Sequence, residues 1–122
     1  MNKKHILMVD DEDGIREILS EGLSAAGYRV TGAASVEMAM EIVIKDRPDL
    51  IITDLQMDGA DGFDLIDELK TAAPDVPVIL LTGVQLEQNV VGAATGGKVV
   101  SYMSKTSSFA EIIAKVRSHL PK

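Results

Sequence analysis

The sequence predicts an α/β domain built on a parallel sheet with helices on both faces. Short β-prone runs alternate with stretches whose apolar residues recur at helical spacing, the pattern of successive right-handed βαβ units. The runs are almost uniformly apolar rather than alternating, as burial on both faces of a sheet requires. Composition agrees: of 122 residues, 46% are hydrophobic and 25% charged, the balance of one globular domain able to bury a single core. A single domain over residues 1–122 is expected.

Residues 5–9 form the first strand, which closes on Asp10-Asp11-Glu12-Asp13. Lys3 and Lys4 before it resemble the start of a signal peptide, but the apolar run from Ile6 meets the acids too soon. Ile15, Ile18, Leu19, Leu23 and Ala26 then keep helical spacing, and Gly27 supplies the C-terminal stop. Residues 28–33 read as a second strand. Ser35 is placed to cap a helix whose inner face carries Val36, Ala39, Met40 and Val43, ended by Arg47-Pro48-Asp49. Leu50-Ile51-Ile52-Thr53-Asp54 is a buried strand that stops on a carboxylate.

Leu65, Ile66, Leu69 and Ala73 make a third helical stripe, terminated by Pro74 and Pro77. Residues 78–83 form the fourth strand and 99–103 the fifth. Ser108-Phe109-Ala110-Glu111 has the capping-box pattern and opens a last helix with Phe109, Ile112, Ile113, Val116 and Leu120 on one side. Between them, Leu86, Val90 and Ala94 keep helical spacing against Gly92, Gly96 and Gly97, each costing about 1 kcal/mol relative to Ala. A short or frayed helix is expected over residues 85–98.

Nineteen acidic residues against twelve Lys and Arg give a net charge of −7, which repels a phosphate backbone; direct nucleic-acid binding is not expected. The composition is not that of a membrane protein. Without cysteine there is no disulfide framework or thiol chemistry, which fits a cytoplasmic setting. His5 and His119 are assigned to structure or solvent, and the six methionines to aliphatic filling.

In open α/β sheets, ligands bind at the carboxyl ends of the strands. Asp10 and Asp11 follow the first predicted strand, Asp54 ends the third, Thr82 ends the fourth and Lys105 follows the fifth. Singly, each has a plain account: an acidic turn capping a helix, a strand-end hydroxyl bonded to backbone, a surface lysine. Together they resemble the receiver domain of two-component response regulators, over the whole chain. The resemblance implies a flavodoxin-like (βα)5 doubly wound parallel sheet in strand order 2-1-3-4-5, in which strands one and three adjoin and Asp10, Asp11 and Asp54 converge.

Carboxylates at roughly 4 Å repel by about 1 kcal/mol per pair in water and up to about 4 at an effective dielectric of 20, so such a site calls for a hard cation. By resemblance this is Mg²⁺, held by Asp11, Asp54 and the backbone carbonyl of Gln56, with Asp10 acting through water. The resemblance makes Asp54 the acceptor of a phosphoryl group, with Lys105 and Thr82 on the phosphoryl oxygens and Gly83 leaving room. Thr82 and Tyr102 would form the switch that alters the adjacent surface. A sensor histidine kinase or histidine phosphotransfer protein is implied as donor, and a downstream effector protein or domain as target. A phosphorylation-dependent homodimer and catalysis by the domain of its own phosphorylation and dephosphorylation also go with the family.

Asp58 and Thr106 stand where the family commonly has Pro. A trans Lys105–Thr106 bond is expected, since a non-proline cis bond costs about 2.5–4 kcal/mol, with Lys105 somewhat displaced. The stretch from Thr82 to Lys105 is one residue longer than usual, so the face made by residues 85–98, the fifth strand and the last helix is expected to be remodelled or mobile. Gln56 and Val84 match positions that tune dephosphorylation. Two rival readings share the residues: a non-phosphorylated interaction module of the same fold, and a small Mg²⁺-dependent phosphohydrolase with Asp54 as nucleophile. Phosphohydrolases of the haloacid dehalogenase type carry a second Asp two residues on, where this chain has Gln56.

Overall fold

Consecutive branched apolar side chains are sheltered only where both faces of a strand are covered, and the chain places them there. The computed structural model describes residues 3–54, 56–57, 60–82, 99–105 and 107–120. β1 (His5–Val9) and β3 (Leu50–Thr53) are buried at every position. With β2 (Arg29–Ala33), β6 (Val78–Thr82) and β7 (Val99–Ser104) they form one parallel sheet in the order β2-β1-β3-β6-β7. This is the flavodoxin-like order that the sequence led one to expect.

Side chains alternate across the sheet and divide the core in two. On one face Leu7, Val9, Ile51 and Leu80 meet α2 (Val36–Lys45) and α3 (Gly62–Ala72) through Ala39, Val43, Leu65 and Leu69. On the other, Ile6, Met8, Ile52 and Ile79 meet α1 (Asp13–Ala25) and α4 (Phe109–His119) through Leu19, Leu23, Ile112 and Val116. Each large aliphatic side chain buried this way contributes about 1.5–3 kcal/mol. Local signals set the helix ends. Ser35 Oγ accepts from the Met38 N–H at 3.1 Å, Ser108 and Glu111 form the expected capping box, and Gly27 leaves α1 with φ +105°, a conformation open to glycine.

Three features depart from the sequence reading. Ile18, part of the α1 stripe, is 68% exposed, because it sits at the edge of the stripe and overhangs a surface cavity. Asp54 is followed by a small antiparallel hairpin, β4 (Gln56–Met57) with β5 (Ala60–Asp61), whose two-residue strands are too short to leave a periodic signal. β7 runs on to Ser104, one residue past the expected end. The expected helix over 85–98, Asp58, Gly83, Val84 and the Lys105–Thr106 bond lie outside the described residues. Among the described residues, no helix is long and apolar enough to cross a membrane.

Candidate functional site at the carboxyl ends of the strands

Val9 pairs with Thr53 in the β1–β3 register, so the next residue of each strand, Asp10 and Asp54, reaches the same rim. Backbone bonds hold both acids there: Asp54 N–H donates to Val9 C=O and Asp10 N–H to Ala33 C=O, each at 3.1 Å. Neither is solvated, Asp10 being fully buried and Asp54 4% exposed. Asp10 Oδ1 accepts the Glu12 N–H at 2.9 Å, turning the chain into α1. That turn brings the Glu12 carboxylate back to the two aspartates, and one oxygen from each of the three lies within 4.8 Å of the others.

Lys105, just after β7, crosses to this cluster. Its Nζ lies 2.7 Å from Asp54 Oδ2, 2.8 Å from Glu12 Oε1 and 3.1 Å from Asp10 Oδ2. Burial works to lower the Lys105 pKa, but hydrogen bonds to Asp54, Glu12 and Asp10 outweigh it and hold the ammonium charged well above the ordinary lysine value. For Asp10 burial wins. Desolvation pushes its carboxyl up and the Asp54 charge adds to it, against the Glu12 N–H and Lys105, which pull it down. Asp10 Oδ2 is buried, and its charge is met by the Lys105 ammonium at 3.1 Å. Three carboxylates facing one ammonium form an all-oxygen donor set suited to a hard divalent cation.

Comparison with known proteins bears on the same residues. Residues 6–117 match the family described as the response regulator receiver domain. The chain belongs to that family. A probable transcriptional regulator ycf27 of Porphyridium aerugineum is 38% identical to this receiver domain over 121 residues, 98% of the chain and 49% of that protein. Sporulation initiation phosphotransferase F of Bacillus subtilis is 33% identical over 121 residues, 99% of the chain and 96% of that protein. Several curated relatives are thus about twice as long as the receiver domain itself. A solved structure of the response regulator TrrA of Thermotoga maritima, in complex with Mg²⁺–BeF, is 32% identical with a TM-score of 0.82, covering 95% of this chain and 98% of that one. Receiver domains act in two-component signalling, where they interact with histidine kinases and effectors.

In this receiver domain the fold brings Asp10, Asp54 and Lys105 together, as expected. The expected displacement of Lys105 goes with the Lys105–Thr106 bond, which lies outside the described residues. Three carboxylates draw the Lys105 ammonium between them. Asp11 follows Asp10 and is half-buried, and Glu12, read from the sequence only as part of the acidic turn, brings a third carboxylate to Asp10 and Asp54. The signal for Glu12 was present, since a buried acid that accepts the N–H two residues on curls the chain over itself. Thr82 ends β6 opposite Ser104, which places its backbone at the rim; its side chain, like that of Gln56 at the start of β4, lies outside the described residues. Tyr102 is half-buried on β7, paired with Leu80 and packed against the Leu7–Ile51 face of the core.

Proposed function

We propose that the domain is an Mg²⁺-dependent phosphoryl switch with Asp54 as the acceptor. The observation that carries this reading is a buried carboxylate, Asp54, ion-paired to Lys105 at 2.7 Å inside a cluster of further acids at the sheet rim. Asp10, Asp11, Asp54 and the backbone carbonyl of Gln56 would hold Mg²⁺, with Asp10 acting through water. When bound, the ion draws charge from the transferring phosphoryl oxygens. An Asp54 oxygen attacks the phosphorus, the P–N bond to a donor imidazole breaks, and the imidazole leaves with the bonding pair and gains a proton. Lys105 exchanges its hold on Asp54 for a phosphoryl oxygen, and Thr82 donates to another. Tyr102, at the border between core and surface, is the element that carries the change outward.

A protein donor is supported by the surroundings of the site. Beside Lys105 an apolar cavity of about 220 Å³ opens between α1 and α4, lined by Ile15, Ile18, Leu81, Phe109 and Ile112. Ile18 and Phe109 stand exposed at its edge, as a docking partner requires. A sensor histidine kinase or histidine phosphotransfer protein is the donor proposed, a downstream effector protein or domain the target, and the cytoplasm the compartment. The acid cluster disfavours a silent interaction module, and Gln56 in place of a second acid disfavours a phosphohydrolase.

Incubation with Mg²⁺ and a small acyl phosphate donor tests the proposal. Acid-stable, base-labile phosphate is expected on the parent chain and none on Asp54→Asn; uptake that persists in the variant refutes the assignment. Size-exclusion chromatography with and without beryllofluoride reports whether the activated domain dimerises.

A further inference from the structure

Arg16 lies one turn into α1, yet its side chain reaches back beneath the acid cluster and is only 19% exposed. One arm of its guanidinium donates to the Asp10 backbone carbonyl at 2.7 Å, and the other to Asp13 Oδ1 at 2.6 Å. Its stem lies over β2, where a Cβ on Gly32 would come within 3.2 Å of Arg16 Cδ. The neighbouring Ala33 accepts the Asp10 N–H. Asp10 is therefore held at its N–H by β2, at its carboxylate by the Glu12 N–H, and at its carbonyl by Arg16.

We propose that Arg16 is a positioning residue for the cation site, acting through the peptide plane between Asp10 and Asp11. A planar peptide whose oxygen is fixed has its next Cα fixed in direction, so the grip on the Asp10 carbonyl sets how the acid pair leaves the strand. The forked guanidinium suits this task because a carbonyl and a carboxylate are engaged at once, which a point-like ammonium does poorly. Glycine at position 32 leaves the lane in which the Arg16 stem lies. The inference rests on the Mg²⁺ reading given above.

Charge and positioning make opposite demands, and this makes the inference testable. If Arg16 mattered only as a nearby positive charge, removing it would tighten Mg²⁺ binding to the acids. As a positioning residue, its removal loosens binding. Mg²⁺ affinity would be measured by amide chemical-shift titration of the parent chain, R16M, R16K and Gly32→Val, with melting temperatures taken in Mg²⁺-free buffer. R16M is expected to bind Mg²⁺ at least fivefold more weakly, and R16K to remain at least threefold weaker although its charge is kept. Gly32→Val, which crowds the stem and leaves the guanidinium intact, is expected to weaken binding in the same sense. Binding by folded R16M as tight as the parent's, or tighter, overturns the inference alone. Should R16M not fold, unchanged affinity in Gly32→Val overturns it instead. A parent chain without Mg²⁺-dependent shifts at Asp11 and Asp54 overturns the Mg²⁺ reading and this inference together.

Discussion

At its first residue β1 carries His5, buried, with Nε2 at 2.8 Å from Thr31 Oγ1 and its backbone N–H donating to Asp49 Oδ2 at 2.8 Å. Just past its last residue it delivers Asp10, buried among Glu12, Asp54 and Lys105. The two ends of one strand thus hold polar clusters of similar make-up and opposite economy. At the histidine end the chain answers its own charges: Arg29 grips Asp46 with two bonds of 2.6 and 3.0 Å, and Asp49 N–H returns a bond to the His5 carbonyl at 2.7 Å. Only His5 Nδ1, 3.8 Å from Asp46 Oδ1, lacks a hydrogen bond there. At the aspartate end three carboxylates share one ammonium. A cluster that closes on itself stabilises a fold. One left electrically unbalanced stores repulsion that a bound cation relieves.

The largest expected effect tests that imbalance directly. Lys105→Met leaves Asp10, Glu12 and Asp54 without their ammonium and is expected to cost about 3 kcal/mol in Mg²⁺-free buffer, the usual scale for an uncompensated buried charge. Saturating Mg²⁺ should restore much of that loss in urea unfolding. Equal stability of variant and parent without Mg²⁺ would break the comparison.

Asp10→Asn comes next and acts the other way. It keeps an acceptor for the Glu12 N–H and removes a desolvated like charge, so it should stabilise the Mg²⁺-free protein by about 1 kcal/mol, a few degrees in Tm. The pH dependence carries the same sign. A carboxyl whose folded pKa lies above its unfolded value binds its proton more readily when folded, so the parent gains stability as pH falls through that raised value towards about 3.8. Asp10→Asn should lose that gain in a comparison of melting curves across the range.

Smallest is the effect at the opposite end. Arg29→Gln frees an exposed pair, so its Tm change should be slight and should vanish in high salt, with Mg²⁺ affinity untouched. Asp46, held below the usual carboxylate range by the Arg29 hydrogen bond, contributes stability above that range and loses it as pH falls through its folded value, opposite in sign to Asp10. A change in Mg²⁺ affinity in Arg29→Gln would show the two ends to be coupled.

The strands and helices are readable from the chain because their signals are local: uniformly apolar runs for doubly covered strands, a stripe every three to four residues for the helices, and Ser35, Gly27 and Ser108 for their ends. Asp10 and Asp54 were readable as rim residues for the same reason, each ending an apolar run. The β4–β5 hairpin and the outward turn of Ile18 were not, since two-residue strands and the edge of a stripe leave no periodic trace. By itself, then, the sequence determined the sheet, its rim and the acids that stand on it. Tertiary structure alone decided that Lys105 reaches Glu12 across 93 residues of chain, that Glu12 joins Asp10 and Asp54, and that Arg16 grips the peptide behind them. Periodicity reports which face of an element is buried, whereas side-chain meetings between distant elements depend on register, turn geometry and the balance of charge, which form only once the sheet has closed.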